Sequence, residues 1–281
     1  MSLKELQAKY AISFKKTLGQ NLLLDENINR IMVEAAAISQ DEDIIEVGAG
    51  MGALTRRIQP IAGRLLAVEI DRMFMPCLED QFASCSNTTL FRGDILNHDL
   101  TKLVDEFLPN HRTLKLVANL PYYITTPILF HFWESGLFFE RFVVMVQQEV
   151  AERLVAPTGS RDYGKLTLAA TWHAEVDIVH HVPRTCFRPQ PNVDSCIVRL
   201  RNRPEPSFPD LDTAFVMKLI GAAFRQRRKT IRNSLITGKE LPYAPAQFDA
   251  AFESANIDSG RRAQTLTMAE FAALATALKK T

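Results

Sequence analysis

The sequence predicts an α/β protein built on a mostly parallel sheet with helices on both faces, and three observations support this class. From Asp43 onward, short apolar runs of strand length alternate with amphipathic segments of helix length. The first run breaks into three glycines at alternate positions before an amphipathic segment begins at Ala53. Polar or glycine-rich residues directly follow several of the runs, which is where parallel sheets bind their ligands. A doubly wound sheet with a ligand site at its carboxyl edge accounts for all three.

Length and composition place the chain among ordinary globular proteins. Its 281 residues are enough for a full α/β domain and a smaller second domain. The net charge of +1 gives no chain-wide signal for nucleic acid, so any basic surface must be local. The four cysteines lack CxxC spacing, and no apolar run reaches membrane-spanning length. Because the N-terminus also lacks a hydrophobic signal core, we expect a cytoplasmic protein with buried, reduced thiols and no membrane partner.

Residues 1–24 are predicted to form an N-terminal arm. The arm is polar, carries several lysines and ends in Gln20-Asn21-Leu22-Leu23-Leu24. Either its leucines only pack the arm against the protein, or Gln20 and Asn21 also close a ligand pocket from the side. Asp25 then begins a helix whose apolar residues recur at helical spacing, namely Ile28, Ile31, Met32, Ala35 and Ala36.

The glycines of the first strand–helix turn are Gly48, Gly50 and Gly52. Glycine permits a positive φ and lets a ligand approach bare backbone, although a tight turn without a ligand uses the same residues. Glu69 favours a ligand, because it closes the next apolar run where an acidic side chain reaches ribose hydroxyls in a doubly wound sheet. The spacing is GxGxG rather than GxGxxG, so a nicotinamide or flavin is not the expected cofactor.

Seven strands are predicted in all. Five precede residue 150, and they are 43–47, 64–70, 88–92, 114–118 and 141–147. Val176–Val182 and Asp194–Arg201 are predicted to form a final pair. Asp94 follows the third strand, where it either caps a helix or accepts a hydrogen bond from the exocyclic amine of a purine. The nearby Glu69 favours the second role.

The most specific short motif is Asn119-Leu120-Pro121-Tyr122, directly after an apolar strand. A strand-ending turn is one interpretation, since Asn and Pro are common there. The other is chemical, because an aromatic exocyclic amine is a poor nucleophile whose lone pair is delocalised into the ring. The Asn119 oxygen and a nearby backbone carbonyl can accept both amine protons and turn that lone pair outward. Tyr122 offers a ring on which an extruded base stacks, and Pro121 stiffens the turn.

His180-His181 invites a metal-site interpretation, but neighbouring residues on a strand point to opposite faces of the sheet. We therefore predict structural histidines and no metal. The chain also lacks a His-x-Glu pair combined with Pro-Cys-x-x-Cys, which excludes a zinc deaminase acting on adenine.

Residues 204–210 are predicted to be a proline-rich linker, and 211–281 a small domain made of helices. Five basic residues cluster in this domain, and they are Arg225, Arg227, Arg228, Lys229 and Arg232. If one helix continues through 224–235, four of them lie together beside an apolar stripe, whereas a break near Gln226 removes the stripe and leaves the cluster. A charge run is usually a solvated face. On a nearly neutral chain that also carries a base-extrusion motif, we favour contact with RNA phosphates.

Together these motifs resemble the class I S-adenosylmethionine-dependent methyltransferases that act on amino nitrogens, and the surrounding sequence resembles the ribosomal RNA adenine dimethyltransferase family. That family's N-terminal signature matches Leu18-Gly19-Gln20-Asn21. Its Phe-x-Pro-x-Pro-x-Val-x-Ser loop matches Phe187–Ser195, and its C-terminal signature matches Phe224–Leu235. Arg262–Leu266 resembles a later signature. The similarity covers the chain from near Phe14 to its end.

The resemblance implies a Rossmann-like class I methyltransferase fold over residues 25–203, with an antiparallel hairpin at the edge of a mostly parallel seven-stranded sheet. It implies S-adenosylmethionine as the cofactor, with contacts from Asn21, Leu23, Gly48, Gly50, Glu69, Asp94 and Asn119. Catalysis is implied for Asn119, Leu120, Pro121 and Tyr122, with Phe187 as a second aromatic wall for the flipped adenine.

The implied reaction is dimethylation of the N6 amine of two adjacent adenines in a hairpin loop near the 3′ end of small-subunit ribosomal RNA. The implied enzyme is a monomer that acts on the assembling small subunit without a metal. Two positions depart from the family pattern: Leu22 stands where Phe is usual, which bears on packing over the cofactor, and Asn192 replaces a lysine, which bears on one phosphate contact.

Two rival functions stay open on the sequence. One is the antibiotic-resistance branch of the family, which dimethylates large-subunit ribosomal RNA, although the stretch Arg227–Ser234 favours the small-subunit branch. The other is a ribosome-assembly or transcription factor that binds nucleic acid without catalysis. The intact Asn119–Tyr122 motif argues against this second alternative.

Overall fold

A computed structural model of the chain describes residues 3–12, 20–23 and 25–280. It contains two compact units, the first formed by Met1–Ala151 with Asp177–Asn202 and the second by Glu152–Val176 with Arg203–Thr281. The division differs from the predicted one, because residues 152–176 join the C-terminal helices instead of the sheet. Leu18 and Gly19 of the N-terminal signature, and the lysines at 15 and 16, lie outside the described residues.

The strands of the structure match the predicted ones closely. They are β1 Leu22–Leu23, β2 Glu42–Val47, β3 Arg64–Glu69, β4 Thr88–Arg92, β5 Thr113–Asn119, β6 Phe139–Gln147, β7 Ala174–Val182, β8 Phe187–Arg188 and β9 Ser195–Asn202. Seven of these form one sheet in the order β4-β3-β2-β5-β6-β9-β7. The pairs from β4 to β6 are parallel, whereas β6 and β9 are antiparallel. The predicted α/β class and the antiparallel edge are therefore confirmed.

Helices connect the parallel strands of the first unit. They are α1 Leu3–Lys9, α2 Glu26–Ala36, α3 Thr55–Ile58, α4 Met75–Phe82, α5 Leu100–Phe107, α6 Thr125–Trp133 and α7 Gln148–Leu154, the last of which runs into the second unit. The predicted start of α2 is confirmed, because the Asp25 side chain accepts a hydrogen bond from the Asn27 N–H. The buried face of α2 packs with Ile44, Leu65 and Val117 of the sheet in one hydrophobic cluster.

A two-stranded antiparallel sheet joins two distant parts of the sequence. In it β1 pairs with β8, so that Leu22 lies opposite Arg188 and Leu23 opposite Phe187. Leu23 and Phe187 are both buried in the cluster that contains α2. The described end of the N-terminal arm is thus fixed both by main-chain hydrogen bonds and by apolar packing.

The second unit contains α8 Lys165–His173, α9 Thr213–Phe224, α10 Ile231–Gly238, α11 Pro245–Ser254 and α12 Met268–Leu278. The segment 204–210, predicted to be a linker, packs on α8 instead. Phe208 stacks on Trp172 with ring centroids 5.9 Å apart, and the Ser207 hydroxyl donates to the Thr171 carbonyl. Aromatic stacking and main-chain contacts therefore override the prolines and bind this segment into the unit.

A single helix over 224–235 is not present. Helix α9 ends at Phe224, residues 225–229 form a turn, and α10 begins at Ile231. Thr230 starts the new helix, because its hydroxyl accepts from the Asn233 N–H. The structure thus follows the second alternative, in which the helix breaks near Gln226 and the apolar stripe is lost.

None of the helices in the described part of the chain combines the length and the apolar character needed to cross a membrane. The four cysteines are free thiols, but only Cys77 and Cys196 are buried as predicted, whereas Cys85 and Cys186 are partly exposed.

Asp43, near the start of β2, is a fully buried carboxylate. It links β2 to Arg64 at the start of β3 and to Arg112 directly before β5. Its oxygens accept from the Arg64 guanidinium at 2.6 and 3.0 Å and from the Arg112 N–H at 2.8 Å. Although burial opposes ionisation, the Arg64 charge and the Arg112 N–H hold the pKa of Asp43 below its ordinary value. A lowered pKa means that this stabilisation is present at neutral pH and is lost as the pH falls below about 4.

We expect Asp43→Asn to lower the free energy of unfolding by about 3 kcal/mol at pH 7, since it leaves the Arg64 guanidinium without its carboxylate. Urea titration followed by circular dichroism measures this loss, which should shrink toward pH 3. Asp41→Asn, at an exposed neighbouring carboxylate, is the matched control and should change stability by less than about 0.5 kcal/mol. Equal losses from the two variants would contradict the role of Asp43.

Candidate active site

One open cleft of about 1030 Å³ lies at the carboxyl edge of the sheet. The chain leaves β2 to form β3 and β4 on one side and β5 and β6 on the other, so the strand order reverses between β2 and β5. Doubly wound sheets bind their ligands at such a reversal. All seven predicted cofactor residues line this cleft, and they are Asn21, Leu23, Gly48, Gly50, Glu69, Asp94 and Asn119.

The glycine turn after β2 is held by the end of β3. The Gly50 N–H donates to Glu69 Oε2 at 2.7 Å, and the Asp71 N–H donates to Glu69 Oε1 at 2.8 Å. Gly48 has φ of +81°, and a Cβ there would lie 3.5 Å from the Asn119 carbonyl oxygen. The positive φ, which residues with a side chain rarely adopt, is the reason why glycine fits here, since a Cβ would make only an ordinary contact with β5.

Glu69 is a buried carboxyl whose remaining acceptor capacity faces the cleft. Burial raises its pKa, and the backbone N–H groups of Asp71 and Gly50 oppose that rise. A carboxylate has about four acceptor positions, so two are still available after these two hydrogen bonds. Ribose hydroxyls are donors that match this arrangement.

Asp94 fills one of the two roles that the sequence left open. Its Oδ1 accepts from the Leu96 N–H at 3.1 Å and so caps the short helical turn Ile95–Asn97. The same residue lines the cleft beyond β4. The helix-cap role is thus confirmed, and the role toward a purine amine stays a prediction.

Asn119 and Tyr122 are both at the cleft, but their side chains are held differently. Within the described chain, the Asn119 amide has no hydrogen-bond partner, which leaves it available to a ligand. The Tyr122 hydroxyl is 2.7 Å from Ser195 Oγ, at the fully buried start of β9. Burial raises the pKa of Tyr122, and the contact with Ser195 opposes the rise. The tyrosine is therefore a neutral, positioned ring.

Phe187 is 3% exposed and packs with Leu23 and Val182 in the hydrophobic cluster, and it is not among the residues that line the cleft. Its packing supports β1, and its role as an aromatic wall for the adenine stays a prediction. Its pairing with Leu23 through β8 explains the position, because both side chains are apolar and the pairing buries them together.

The cleft is anionic. Its lining includes the carboxyl groups of Glu46, Glu69 and Asp94, and no Lys, Arg or His from the described part of the chain. Phosphate-bearing cofactors would meet like charge here, whereas a ligand carrying a positive charge finds counter-charges. S-adenosylmethionine is cationic at its sulfur and carries an adenosine ribose, so the acidic, hydrogen-bond-accepting lining of the cleft fits it.

The comparison with protein families decides where the chain belongs. The family model described as ribosomal RNA adenine dimethylase matches residues 11–280. The chain belongs to the ribosomal RNA adenine dimethylase family. A protein of this kind, ribosomal RNA small subunit methyltransferase A of Geobacillus sp. strain WCH70, is 43% identical over 279 residues, covering 98% of this chain and 95% of that protein. The protein of the same name from Lysinibacillus sphaericus is 43% identical over 278 residues, covering 98% of this chain and 94% of its own length.

Solved structures agree with the family assignment. A dimethyladenosine transferase from Plasmodium falciparum superposes with a TM-score of 0.77 at 24% identity, covering 92% of this chain and 98% of that one, which shows the shared fold. The 23S rRNA methyltransferase ErmE superposes with a TM-score of 0.65 at 27% identity, covering 92% of this chain and 100% of its own.

Three polar side chains of the cleft were missed by the sequence analysis of this adenine dimethylase. Glu46 lies within β2, in a run of apolar residues. Asn29 lies on the apolar face of α2, and Tyr123 directly follows the Asn119–Tyr122 motif. Asn29 and Glu46 are 3% and 1% exposed, whereas Tyr123 is 53% exposed. For Asn29 and Glu46, the available signal was a polar residue at a position where the periodicity predicts an apolar one.

The predicted basic cluster is divided by its intramolecular partners. Arg225 pairs with Glu240 at 2.6 Å, and Arg232 contacts both oxygens of Asp249. Arg227 donates to the carbonyl oxygens of Arg161 and Tyr163.

The two remaining members, Arg228 and Lys229, are exposed, and no described residue contacts their side chains. Three of the five cations are thus used inside the second unit.

The described residues hold no group of three or more potential metal ligands, and His181 Nδ1 faces Cys196 Sγ at 3.3 Å.

A double-mutant cycle tests how Tyr122 is held. We expect Ser195→Ala to lower the free energy of unfolding by about 1–2 kcal/mol, because it leaves a mostly buried hydroxyl without its partner. Tyr122→Phe removes that hydroxyl, so the double variant should lose less than the sum of the single losses, with a coupling of about 1 kcal/mol. Urea unfolding of the four proteins gives this coupling. Strictly additive losses would show that the two hydroxyls do not interact.

Proposed function

We propose that this chain is the S-adenosylmethionine-dependent enzyme that dimethylates the N6 amines of two adjacent adenines near the 3′ end of small-subunit ribosomal RNA. The observation that carries the proposal is the single cleft in which an anionic cofactor site adjoins the free Asn119 amide. We propose that the enzyme acts as a monomer in the cytoplasm, on the assembling small subunit, and without a metal.

The proposed cofactor contacts follow from the side chains at the cleft. Glu69 accepts from the ribose hydroxyls, Asp94 accepts from the adenine amine of the cofactor, and the backbone at Gly48 and Gly50 lies against its methionine part. Asn21 and Leu23 close the cleft from the side of the N-terminal arm. When bound, S-adenosylmethionine supplies a methyl group activated by the positive charge on sulfur.

Asn119 and Leu120 are the proposed acceptors for the target amine. The Pro121 carbonyl is occupied, since it accepts from the Ile124 N–H at 3.2 Å and from the Thr125 hydroxyl at 3.1 Å. The Leu120 carbonyl has no donor among the described residues and is therefore the backbone partner of the Asn119 oxygen. Two acceptors hold both amine protons and direct the nitrogen lone pair at the methyl group. No general base is required, because the amine loses its proton after methylation makes the nitrogen cationic.

The small-subunit substrate is favoured over its rivals by the similarity. Relatives named as small subunit methyltransferases are 43% identical across almost the whole chain, whereas the 23S rRNA methyltransferase ErmE is 27% identical. A binding factor without catalysis would not need a free Asn119 amide and a free backbone carbonyl at a cofactor cleft. The intact Asn119–Tyr122 motif supports an active enzyme.

RNA contact is proposed for the free cations of the second unit. Arg228 and Lys229 lie in the turn between α9 and α10. Hydrogen bonds connect this turn to two other segments of the second unit. Arg227 contacts the carbonyls at 161 and 163, and the Ile231 N–H donates to the Arg261 carbonyl at 2.7 Å. These bonds bring Arg161 and Arg262, both exposed and without a described side-chain partner, to the same region. We extend the proposed surface to them.

The function is tested by methyl transfer to small ribosomal subunits that lack the modification. With labelled S-adenosylmethionine, we expect dimethyladenosine at two adjacent positions near the 3′ end of the small-subunit RNA, identified by nuclease digestion and mass spectrometry. Asn119→Ala should lower the rate by about 10²–10³, by analogy with the loss of one transition-state-directed polar group. RNA affinity should hardly change. Methylation confined to large-subunit RNA, or an undiminished rate in the variant, would contradict the proposal.

The salt dependence of RNA binding distinguishes Arg228 and Lys229, which have no described partner, from the arginines that are paired with carboxylates. Arg228→Ala combined with Lys229→Ala should flatten the log–log salt slope by roughly 1.5, since each phosphate contact contributes about 0.7 on single strands and about 0.9 on duplexes. The matched control is Arg225→Ala combined with Arg232→Ala, which removes the same charge from residues already paired with carboxylates. It should lower the melting temperature and leave the slope unchanged. Equal flattening by both pairs would assign the effect to net charge alone.

A further inference from the structure

Three exposed arginines of the first unit have no hydrogen-bond or ion-pair partner among the described residues, and they are Arg72, Arg92 and Arg188. Arg92 is the last residue of β4 and lies opposite Glu69 in the sheet. Arg72 follows the end of β3, directly after Asp71. Both arginines are therefore at the carboxyl edge of the sheet, on the side of the cleft that the ends of β3 and β4 form.

Arg188 lies beside the cleft on its other side. Gln147 at the end of β6 is opposite Ser195 at the start of β9, so the segment before β9 is also at the carboxyl edge. Within this segment β8 pairs with β1, and Arg188 is opposite Leu22, which lines the cleft. The three residues thus flank the mouth of the cleft on two sides, and we call them the rim arginines.

Cations near the opposite, amino edge of the same sheet are paired instead. Arg64 contacts Asp43 at 2.6 Å, and Lys115 contacts Glu42 at 2.7 Å. Arg141 donates to a carbonyl oxygen of α2 at 3.1 Å. The amino-edge cations therefore stabilise the fold, whereas the rim arginines do not use their charge within the described part of the first unit.

Carboxylates close to the rim arginines in the sequence bind other donors. Asp71, next to Arg72, accepts from the Gln20 side-chain amide at 2.8 Å. Asp94, which follows Arg92 after one glycine, caps the helical turn behind it. The guanidinium groups therefore keep their N–H donors for a ligand from outside the chain. Their planar, forked geometry matches the oxygens of a phosphate.

We propose that the rim arginines bind phosphates of the RNA strand and hold it at the mouth of the cleft while one adenine enters. The proposal rests on the ribosomal RNA substrate of the proposed function. A phosphate inside the cleft would meet the carboxyl groups that line it, whereas an adenine base is uncharged. A cationic rim around an anionic cleft thus keeps the backbone outside and admits the base. Such phosphate contacts position the strand without reading its sequence.

RNA fits the rim arginines better than the cofactor does. S-adenosylmethionine has a single carboxylate, which cannot contact arginines on both sides of the cleft at once. An RNA strand carries a negative charge at every nucleotide and can therefore contact both sides while it passes over the mouth.

The salt dependence of binding to small ribosomal subunits that lack the modification tests the rim. Combined Arg72→Ala, Arg92→Ala and Arg188→Ala should flatten the log–log salt slope by roughly 2, since each phosphate contact on a single strand contributes about 0.7. Fluorescence anisotropy of the labelled full chain, with KCl varied at constant magnesium, gives this slope. The melting temperature should hardly change, because the three side chains are exposed and have no described partner.

The matched control removes three arginines of the first unit that are paired with carboxylates. It combines Arg30→Ala, Arg57→Ala and Arg201→Ala, whose partners are Glu34, Glu26 and Asp177. This variant has the same net charge as the rim variant and should keep the slope of the unaltered protein. Equal flattening in the two variants would assign the effect to net charge and overturn the proposal.

Steady-state methylation of the same subunits separates positioning from chemistry. Contacts made equally before and in the transition state raise KM and leave kcat unchanged. The rim variant should therefore raise KM for the subunits by on the order of tenfold, which the loss of one charge-assisted hydrogen bond already gives. Its kcat, and its affinity for S-adenosylmethionine measured by calorimetry, should stay unchanged.

An unchanged slope and KM in the rim variant would overturn the proposal. Weaker binding of S-adenosylmethionine by that variant would also overturn it, because the arginines would then belong to the cofactor site. Failure of the unaltered protein to methylate small-subunit RNA would instead refute the proposed function.

Discussion

The hydrogen bond from the Gly50 N–H to the Glu69 carboxylate is the contact on which the site depends. It fixes the turn after β2 against the end of β3, while Gly48 brings the same turn close to the Asn119 carbonyl on β5. These two contacts hold the carboxyl ends of β2, β3 and β5 close together. Once these ends are fixed, a cleft with acidic groups on one side and the free Asn119 amide on the other follows from the parallel sheet itself.

Residues far apart in the sequence complete this frame. β1 pairs with β8, which anchors the arm that carries Asn21, and the hydroxyl of Ser195 holds Tyr122. Phe187 and Ser195 are the ends of one family motif, and in this structure Phe187 packs with Leu23 of β1 while Ser195 contacts the Tyr122 hydroxyl. The motif thus holds two parts of the site in place: the N-terminal arm, which pairs with β8, and the Tyr122 ring, which contacts Ser195.

The sequence predicted the strands, the cleft residues and the Asp25 cap, because periodicity, glycine turns and caps are local and physically strict. It did not predict which arginines are free, since the partners Glu240 and Asp249 lie 15 and 17 residues away and are brought near by tertiary packing. The packing of Phe208 on Trp172 was missed for the same reason, whereas the helix break near Gln226 was one of the two alternatives that the sequence left open. Glu46 was hidden because a buried polar residue inside an apolar run gives only a weak signal.

A crystal structure of this protein with S-adenosylhomocysteine tests the central claim most directly. The account predicts the ligand in the one cleft between the ends of β2 and β5, with its ribose hydroxyls within about 3.2 Å of the Glu69 carboxylate. The turn at Gly50 should keep its hydrogen bond to the same carboxylate. Ligand density elsewhere on the chain, or a ribose that does not contact Glu69, would contradict it.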